Sequence, residues 1–183
     1  SDVTYTDNLP KHIILNNFGE SYLRNGEYEQ GLNIVEQALD IKSTFAPAID
    51  NKAIALKNLG RWDEAIEWYQ KAFEISDDLF DLSSKAWCTY KLGMEKTDIE
   101  LKKQHFTDAM NLYDLVIEQD EVNDNAYYVK ASMFFSLEIY VESRKNIEQA
   151  LKIDSNNAVY WGLLGDLELN MKKYDEALLW YNK

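Results

Sequence analysis

Two adjacent carboxylate pairs have the residue types of an acid/base site. Asp63-Glu64 and Asp175-Glu176 each place two carboxyl groups side by side, as general acid/base chemistry can require. Each pair also stands at the start of a predicted helix, where negative charge is stabilised by the helix dipole. A structural role therefore explains both pairs, and no catalytic site is predicted from them.

The remaining reactive side chains are also isolated. His12 and His105 have no partners at a catalytic or metal-ligand spacing, and the sequence contains no glycine-rich phosphate loop. Cys88 is the only cysteine in 183 residues, which excludes an internal disulfide and a cysteine-based zinc site. We expect Cys88 to pack as a small hydrophobic residue. The sequence predicts neither a cofactor nor a metal.

The charge of the chain limits the classes of partner. It carries 19 Lys and Arg against 32 Asp and Glu, for a formal net charge of -13. Nucleic acids and anionic membranes are bound through basic side chains, so neither is an expected partner. No apolar run approaches the ~18 residues of a membrane span, and the N-terminus has no basic segment followed by an apolar one. The acidity is consistent with a basic or neutral protein segment as the partner, or with a role in solubility alone. We expect a cytoplasmic protein.

The elements of the chain recur every 34 residues, which is the typical length of a stacked helical hairpin. Within one period, apolar residues at helical spacing are followed by a glycine turn and a second helical stripe. Gly19 and Gly31 stand where the two helix backbones must come close. The recurring positions are Gly26 and Gly60, Tyr28 and Trp62, Ala38 and Ala72, Ile41 and Ile75, and later Ala109, Ser143 and Ala177.

These columns resemble the tetratricopeptide repeat, whose signature is W-x2-L-G-x2-Y in the first helix and A-x3-F in the second. The last unit reads Trp161-x2-Leu164-Gly165 and then Ala177-x3-Tyr181, while Glu168 replaces the aromatic residue of the signature. The resemblance implies an all-α fold: a right-handed α-solenoid of antiparallel helix hairpins with about five repeats.

The resemblance covers residues 12–183, after a lead-in at residues 1–11. The predicted units are 12–45, 46–78, 79–123, 124–157 and 158–183. The third contains eleven extra residues at 95–105, where Thr97-x2-Glu100 has the pattern of a capping box and predicts a lengthened second helix. The insertion is either a tolerated extension of an exposed tip or an extra docking edge.

The last unit ends at Lys183 without a capping helix. Solenoids need polar terminal caps, so we expect the chain to be part of a longer protein. The uncapped helix would expose Leu178, Leu179 and Tyr181, which makes self-association a possible activity.

In this family the first helix of each hairpin lines the concave face, which implies a partner-binding site there. Its aromatic members are expected to hold apolar side chains, with Trp87 and Tyr90 as the main anchors. Tyr128 and Phe135 are equally consistent with packing against the next repeat. The predicted concave-face residues, all expected to be exposed, are Asn16, Asn17, Glu20, Arg24, Asp50, Asn51, Ile54, Lys57, Ser84, Trp87, Tyr90, Tyr128, Ser132 and Phe135.

The residues at these repeat positions disfavour one activity of the family. Co-chaperones of this family hold the acidic tail of heat-shock proteins with a basic clamp, and of its positions only Asn51 matches. Asn16, Glu20, Phe80 and Ser84 occupy the others. The leading hypothesis is a non-enzymatic scaffold that binds a peptide or extended segment in its groove. The alternatives are a substrate-recruiting or regulatory region of a larger enzyme and a self-associating scaffold.

Overall fold

The computed structural model describes residues 9–183, and these residues form ten α-helices and no strand. The all-α prediction is confirmed. Residues 1–8 of the expected lead-in lie outside the described range, and the first helix begins at Lys11 after its N-cap, Pro10. The helices are α1 (Lys11–Arg24), α2 (Tyr28–Ile41), α3 (Ala46–Asn58), α4 (Trp62–Ser76), α5 (Leu79–Glu95), α6 (Ile99–Gln119), α7 (Asp124–Ser136), α8 (Tyr140–Ile153), α9 (Ala158–Asn170) and α10 (Tyr174–Tyr181).

The helices divide into two compact units. The first unit ends at Leu92, and the second runs from Gly93 to Lys183, so the boundary falls inside α5. Unit 1 contains α1–α4 and most of α5, and unit 2 contains α6–α10. A single solenoid across both units stays a prediction.

Four hairpins use the same turn between their helices. One residue in each turn has a left-handed backbone: Gly26 (φ 81°), Gly60 (φ 73°), Glu138 (φ 61°) and Lys172 (φ 59°). The N–H of the following residue donates back to a carbonyl five residues earlier, for example over 2.9 Å from Glu27 to Tyr22. This is the Schellman arrangement, which satisfies the carbonyls at the helix end. It fixes where the second helix starts in each of the four hairpins.

In the hairpins α1–α2, α3–α4, α7–α8 and α9–α10, the two helices approach through buried small residues. A Cβ atom added to Gly19 would lie 2.6 Å from Cγ2 of Val35 and 3.1 Å from the carbonyl oxygen of Gly31. The hydroxyl of Ser143 likewise donates to the carbonyl of Ala131 at 2.8 Å. The expected close approach at Gly19 and Gly31 is therefore confirmed. The buried small positions of these hairpins are Gly19, Ala53, Ala131 and Gly165 in first helices, and Gly31, Ala65, Ser143 and Ala177 in second helices.

Each unit has its own apolar core around these contacts. In unit 1, Leu56 and Tyr69 are fully buried, and Cys88 packs with them as the sequence predicted. In unit 2, Ile147 and Leu167 are fully buried in a cluster that spans α7, α8 and α9. Burial of such side chains stabilises the fold by about 1.5–3 kcal/mol each.

Glu168, which departs from the repeat signature, is a buried carboxylate with charged partners. This side chain is 3% exposed and forms an ion pair with Arg144 of α8. Lys173 adds a second cation, with its Nζ 3.5 Å from the other carboxylate oxygen. Because an unpaired buried charge is strongly unfavourable, the two cations explain how a carboxylate replaces the aromatic residue here.

The inserted residues of the third repeat lengthen α6 to 21 residues. The N-cap is Asp98, whose Oδ1 accepts hydrogen bonds from the N–H groups of Glu100 (2.9 Å) and Leu101 (3.0 Å). The capping box predicted at Thr97 is therefore wrong by one residue, since the adjacent aspartate is a strong cap itself. Ile99 and Leu101 stay about half exposed. Their use as a docking edge stays a prediction.

The Gly19–Gly31 contact leads to a test of stability. We expect Gly19→Ala to lower the free energy of unfolding by about 1–3 kcal/mol, because the Val35 side chain and backbone atoms of α2 block the added methyl group. The control is Gly162→Ala in α9, where a Cβ would meet nothing within 4 Å. That change should instead stabilise the protein by about 0.5–1 kcal/mol through helix propensity. Urea denaturation followed by circular dichroism measures both, and equal effects would contradict the packing account.

Candidate interaction face of the first helices

The predicted concave-face residues differ in their exposure. Asn17 and Arg24 are exposed, whereas Asn16 and Ser84 are buried, with exposed fractions of 3% and 6%. The expectation that Asn16 and Ser84 are exposed is therefore wrong. The half-buried members are Glu20, Asp50, Asn51, Ile54, Lys57, Trp87 and Tyr90 in unit 1, and Tyr128, Ser132 and Phe135 in unit 2.

Asn16 is buried because it links α1 to α3. Its Oδ1 accepts a hydrogen bond from Nδ2 of Asn51 at 2.9 Å, 35 residues along the chain. The bond satisfies a buried amide oxygen and fixes the orientation of the Asn51 side chain. Asn51 thus lies on the half-buried face of α3 in a defined conformation.

Glu20 and Arg24 pair with each other on α1. Nη2 of Arg24 lies 2.5 Å from Oε1 of Glu20, and the Arg24 side chain is 78% exposed. Exposed pairs of this kind contribute little to stability. The pair brings opposite charges together and leaves this part of the face without a net charge.

Trp87 and Tyr90 form an aromatic pair on α5. Their ring centroids are 5.4 Å apart with planes tilted by 52°. Nζ of Lys91 lies 5.2 Å from the Trp87 ring, in the range of a cation–π contact. Both aromatic side chains are half-buried, so each is held in place and still presents apolar surface.

Asp50 of α3 is a carboxylate in an unfavourable position. The side chain is half-buried, and its Oδ1 atom is buried without a hydrogen-bond partner. Burial, followed by the negative charges of Asp81 and Asp78, raises the pKa of Asp50 to about 6. At neutral pH the group is thus mainly ionised, although its surroundings disfavour the charge.

Two buried polar residues interact electrostatically with Asp50. Tyr69 of α4 is fully buried, and burial raises its pKa far above the usual range, while the Ser84 side chain opposes part of this shift. Asp81 of α5 is 3% exposed and accepts a hydrogen bond from the Ser76 hydroxyl at 2.8 Å. Sequence reasoning missed Asp81, because nothing in its spacing shows that an aspartate is covered by neighbouring helices.

The unit 2 members of the set make contacts within their own unit. Tyr128 stacks on Tyr160, with centroids 5.1 Å apart and planes at 30°, and Phe135 lies 5.9 Å from Tyr140. The Ser132 hydroxyl donates to the Tyr128 carbonyl at 3.0 Å. These contacts favour the packing interpretation of Tyr128 and Phe135. Trp87 and Tyr90 therefore remain the stronger candidates for anchors.

The last helix presents an apolar surface. Leu178 is 63% exposed, Leu179 54% and Tyr181 46%. In the first repeat, Leu32 and Val35 occupy the positions that correspond to Leu178 and Tyr181, and they are only 4% and 0% exposed. Self-association through this surface stays a prediction.

Residues 9–183 offer neither a membrane span nor a metal site. None of the helices there is both long and apolar enough to cross a membrane. Within the same range, no group of three or more His, Cys, Asp or Glu side chains has an arrangement that could hold a metal ion.

Curated relatives include chaperone-organizing proteins. The chain is 27% identical over 153 residues to "Protein STIP1 homolog" of Dictyostelium discoideum, a match that covers 83% of the chain and 26% of that protein. It is 25% identical to "Hsp70-Hsp90 organizing protein 3" of Arabidopsis thaliana, over 92% of the chain and 35% of the relative. The chain thus spans about a quarter to a third of the length of these relatives.

Solved structures show the same fold. A MamA fragment from Desulfovibrio magneticus RS-1 matches with a TM-score of 0.79 at 16% identity, over 95% of this chain and 93% of that one. TTC0263, a tetratricopeptide protein of Thermus thermophilus, matches with a TM-score of 0.72 at 19% identity, over 93% and 88% of the two chains. Family models described as tetratricopeptide repeat match residues 13–45, 46–79 and 158–183, just over half of the chain. With the recurring turns and small-residue columns, these matches show that the chain belongs to the tetratricopeptide repeat family, a family of protein–protein interaction scaffolds.

Proposed function

We propose that the chain binds an extended segment of a partner protein along the first-helix face of unit 1. The observation that carries this proposal is the half-buried Trp87–Tyr90 pair on α5. Aromatic side chains that are fixed by neighbours and still present apolar surface are typical centres of binding energy. A partner side chain that covers them loses contact with water without much ordering of the scaffold.

Polar groups on the same face suit a peptide backbone. Asn51 is oriented by its bond to Asn16, and an asparagine amide can donate to and accept from a peptide group. An amide held in advance loses little conformational freedom when it binds. The face therefore combines a polar part on α3 with an apolar part on α5, both within unit 1.

The names of the relatives suggest a competing role in organising chaperones. Binding an acidic chain terminus requires cations that can meet carboxylates. In unit 1, Arg24 is paired with Glu20, and Nζ of Lys57 lies 5.7 Å from the rings of Tyr69 and Phe80. The ionised Asp50 also repels a second carboxylate. We therefore favour a basic or neutral segment over an acidic one.

A binding face of this kind is compatible with more than one role of the full protein. A tetratricopeptide region can recruit substrates for an enzyme domain in the same chain, and this alternative stands beside the scaffold. The cytoplasmic location expected from the sequence stays a prediction.

Replacing the main anchor tests the proposed face. Peptides that bind wild type are selected from a random library, and their dissociation constants are measured by fluorescence anisotropy. We expect Trp87→Ala to weaken binding by about 1–3 kcal/mol, because the apolar contact is lost. The control is Tyr174→Ala, which removes a 64% exposed aromatic ring from α10. Unchanged binding in a Trp87→Ala protein that stays folded would rule out this face.

The competing chaperone role has its own test. A synthetic peptide with an acidic C-terminus should show no saturable binding at concentrations where a library-selected peptide binds, because the chain carries a formal net charge of -13. Isothermal titration calorimetry measures the binding of both peptides to the wild-type protein. Tight binding of the acidic peptide that is lost in Asn51→Ala would support the clamp activity and contradict our preference.

The charge of Asp50 should lower the stability of the free protein. Its pKa is about 6 when folded against an ordinary value of 3.8, so the folded state binds more protons between these pH values and stability falls as pH rises through them. We expect Asp50→Asn to stabilise the protein by about 1 kcal/mol at pH 7, after allowance for solvent screening, and by much less at pH 4. Urea denaturation at both pH values measures this. A gain that is equal at pH 4 and pH 7 would contradict the electrostatic origin.

A further inference from the structure

A lysine recurs where α3, α5 and α7 meet the second helix of the preceding repeat. It directly precedes the buried small residue of its own helix, and its acceptor stands five residues after the small position of the preceding helix. Nζ of Lys52, for example, donates to Oε1 of Glu36 at 2.6 Å. The lysines and their acceptors are Lys52 and Glu36, Lys85 and Gln70, and Lys130 and Asp114.

The junction between α8 and α9 lacks this lysine. Leu164 stands at the lysine position, whereas the acidic acceptor is kept as Glu148. The Glu148 carboxylate has a cation on its own helix, but Nη1 of Arg144 lies 3.5 Å away, and the Glu148 side chain is 50% exposed. Arg144 also forms an ion pair with the buried Glu168. Glu148 is thus left without the close lysine contact that its counterparts have.

A tryptophan accompanies the carboxylate in both the second and the last repeat. Trp68 and Trp180 each stand three residues after the small position of their helix. In the second repeat, Nζ of Lys52 lies 4.3 Å from the centroid of the Trp68 ring, so one ammonium group meets a carboxylate and an aromatic face. The last repeat keeps the carboxylate and the indole but has a leucine in place of the lysine.

A cavity of about 310 Å³ lies among these residues of α8, α9 and α10. Leu151 and Leu164, which are 8% and 3% exposed, supply its apolar lining. Trp161 and Trp180 also line it and stack on each other, with ring centroids 5.5 Å apart and planes at 17°. Glu148 adds a carboxylate. The volume is at the lower end of the range of ligand pockets, which suits a single side chain.

We propose that this cavity is a second binding site, which receives a lysine side chain from a basic segment of a partner protein. The aliphatic part of the lysine packs on Leu151 and Leu164. Its ammonium pairs with Glu148 beside the Trp180 ring, as the ammonium of Lys52 pairs in the second repeat. The cavity belongs to unit 2, so this inference goes beyond the binding face proposed on unit 1 and does not depend on it.

Two cations of the protein also line the cavity and are compatible with a lysine there. The charge of Arg144 is offset by its ion pair with Glu168. Lys152 is exposed, and its Nζ donates to Oε1 of Gln149 at 3.4 Å, so water screens its charge. The formal net charge of -13 favours the approach of a basic segment to the chain as a whole.

A selection with a built-in competitor tests the site. Peptides from a random library are selected on the wild-type protein and then depleted of those that bind Leu164→Lys. This variant restores the recurring lysine, which fills the cavity and leaves the unit 1 face unchanged. We expect the remaining peptides to be enriched in lysine and to bind Trp87→Ala as tightly as wild type. Circular dichroism checks that the variants stay folded, and depletion on Glu148→Gln takes the place of Leu164→Lys if that variant unfolds.

A double-mutant cycle on the remaining peptides identifies the contact. Replacing the enriched lysine by norleucine should weaken binding to wild type by about tenfold and to Glu148→Gln by less than about twofold. The control is Glu142→Gln, which removes a carboxylate from the first turn of α8 with the same change in net charge. In the control the tenfold loss should persist. Fluorescence anisotropy measures the dissociation constants.

The outcomes separate this inference from the proposed function. If every selected peptide binds folded Leu164→Lys as well as wild type, the cavity receives no partner side chain and the inference is wrong. It is also wrong if the remaining peptides carry an aromatic or acidic residue in place of lysine, or if Glu148→Gln and Glu142→Gln behave alike. If no selected peptide depends on Trp87, the proposed function is wrong, and coupling between the lysine and Glu148 still supports the cavity.

Discussion

The close approach of the two helices in hairpins such as α1–α2 and α7–α8 is the constraint on which the rest of the structure depends. At Gly19 and Gly31 the side chains of Val35 and Leu23, together with the facing backbone, leave no room for a methyl group. The Ser143 hydroxyl donates to the carbonyl of Ala131. The helices meet along one side, so the first helix of a hairpin keeps another side for different contacts. Asp50 and Asn51 lie there because Ala53, on the next turn of α3, belongs to the contact with α4.

The first helices of unit 1 carry both core residues and half-buried polar residues. The apolar cores around Leu56 and Ile147 have the close packing that stabilises a repeat array. Asp50 is instead half-buried, and its Oδ1 atom has no hydrogen-bond partner among the described residues. The two sets coexist because the core residues offset the cost.

The turns and the helix contacts of this chain could be predicted from the sequence, because the same geometric constraint recurs from repeat to repeat. The left-handed turns require Gly26 and Gly60, and the close helix packing requires the recurring small residues. Both requirements can be read from the local sequence. The burial of Asn16 and Asp81 was not predictable, because it depends on which neighbouring helix covers them. The cap at Asp98 was missed because two adjacent residues could both cap, and their competition is decided by backbone angles.

The helices pack mainly against elements one or two places away along the chain. Contacts that are close in sequence require little loop closure, so arrays of this kind form quickly and from several starting points. During synthesis, a hairpin such as α1–α2 can close soon after its second helix leaves the ribosome, before later repeats exist. The order of synthesis can thus become the order of folding, and a growing chain exposes only its newest unpaired helix to aggregation.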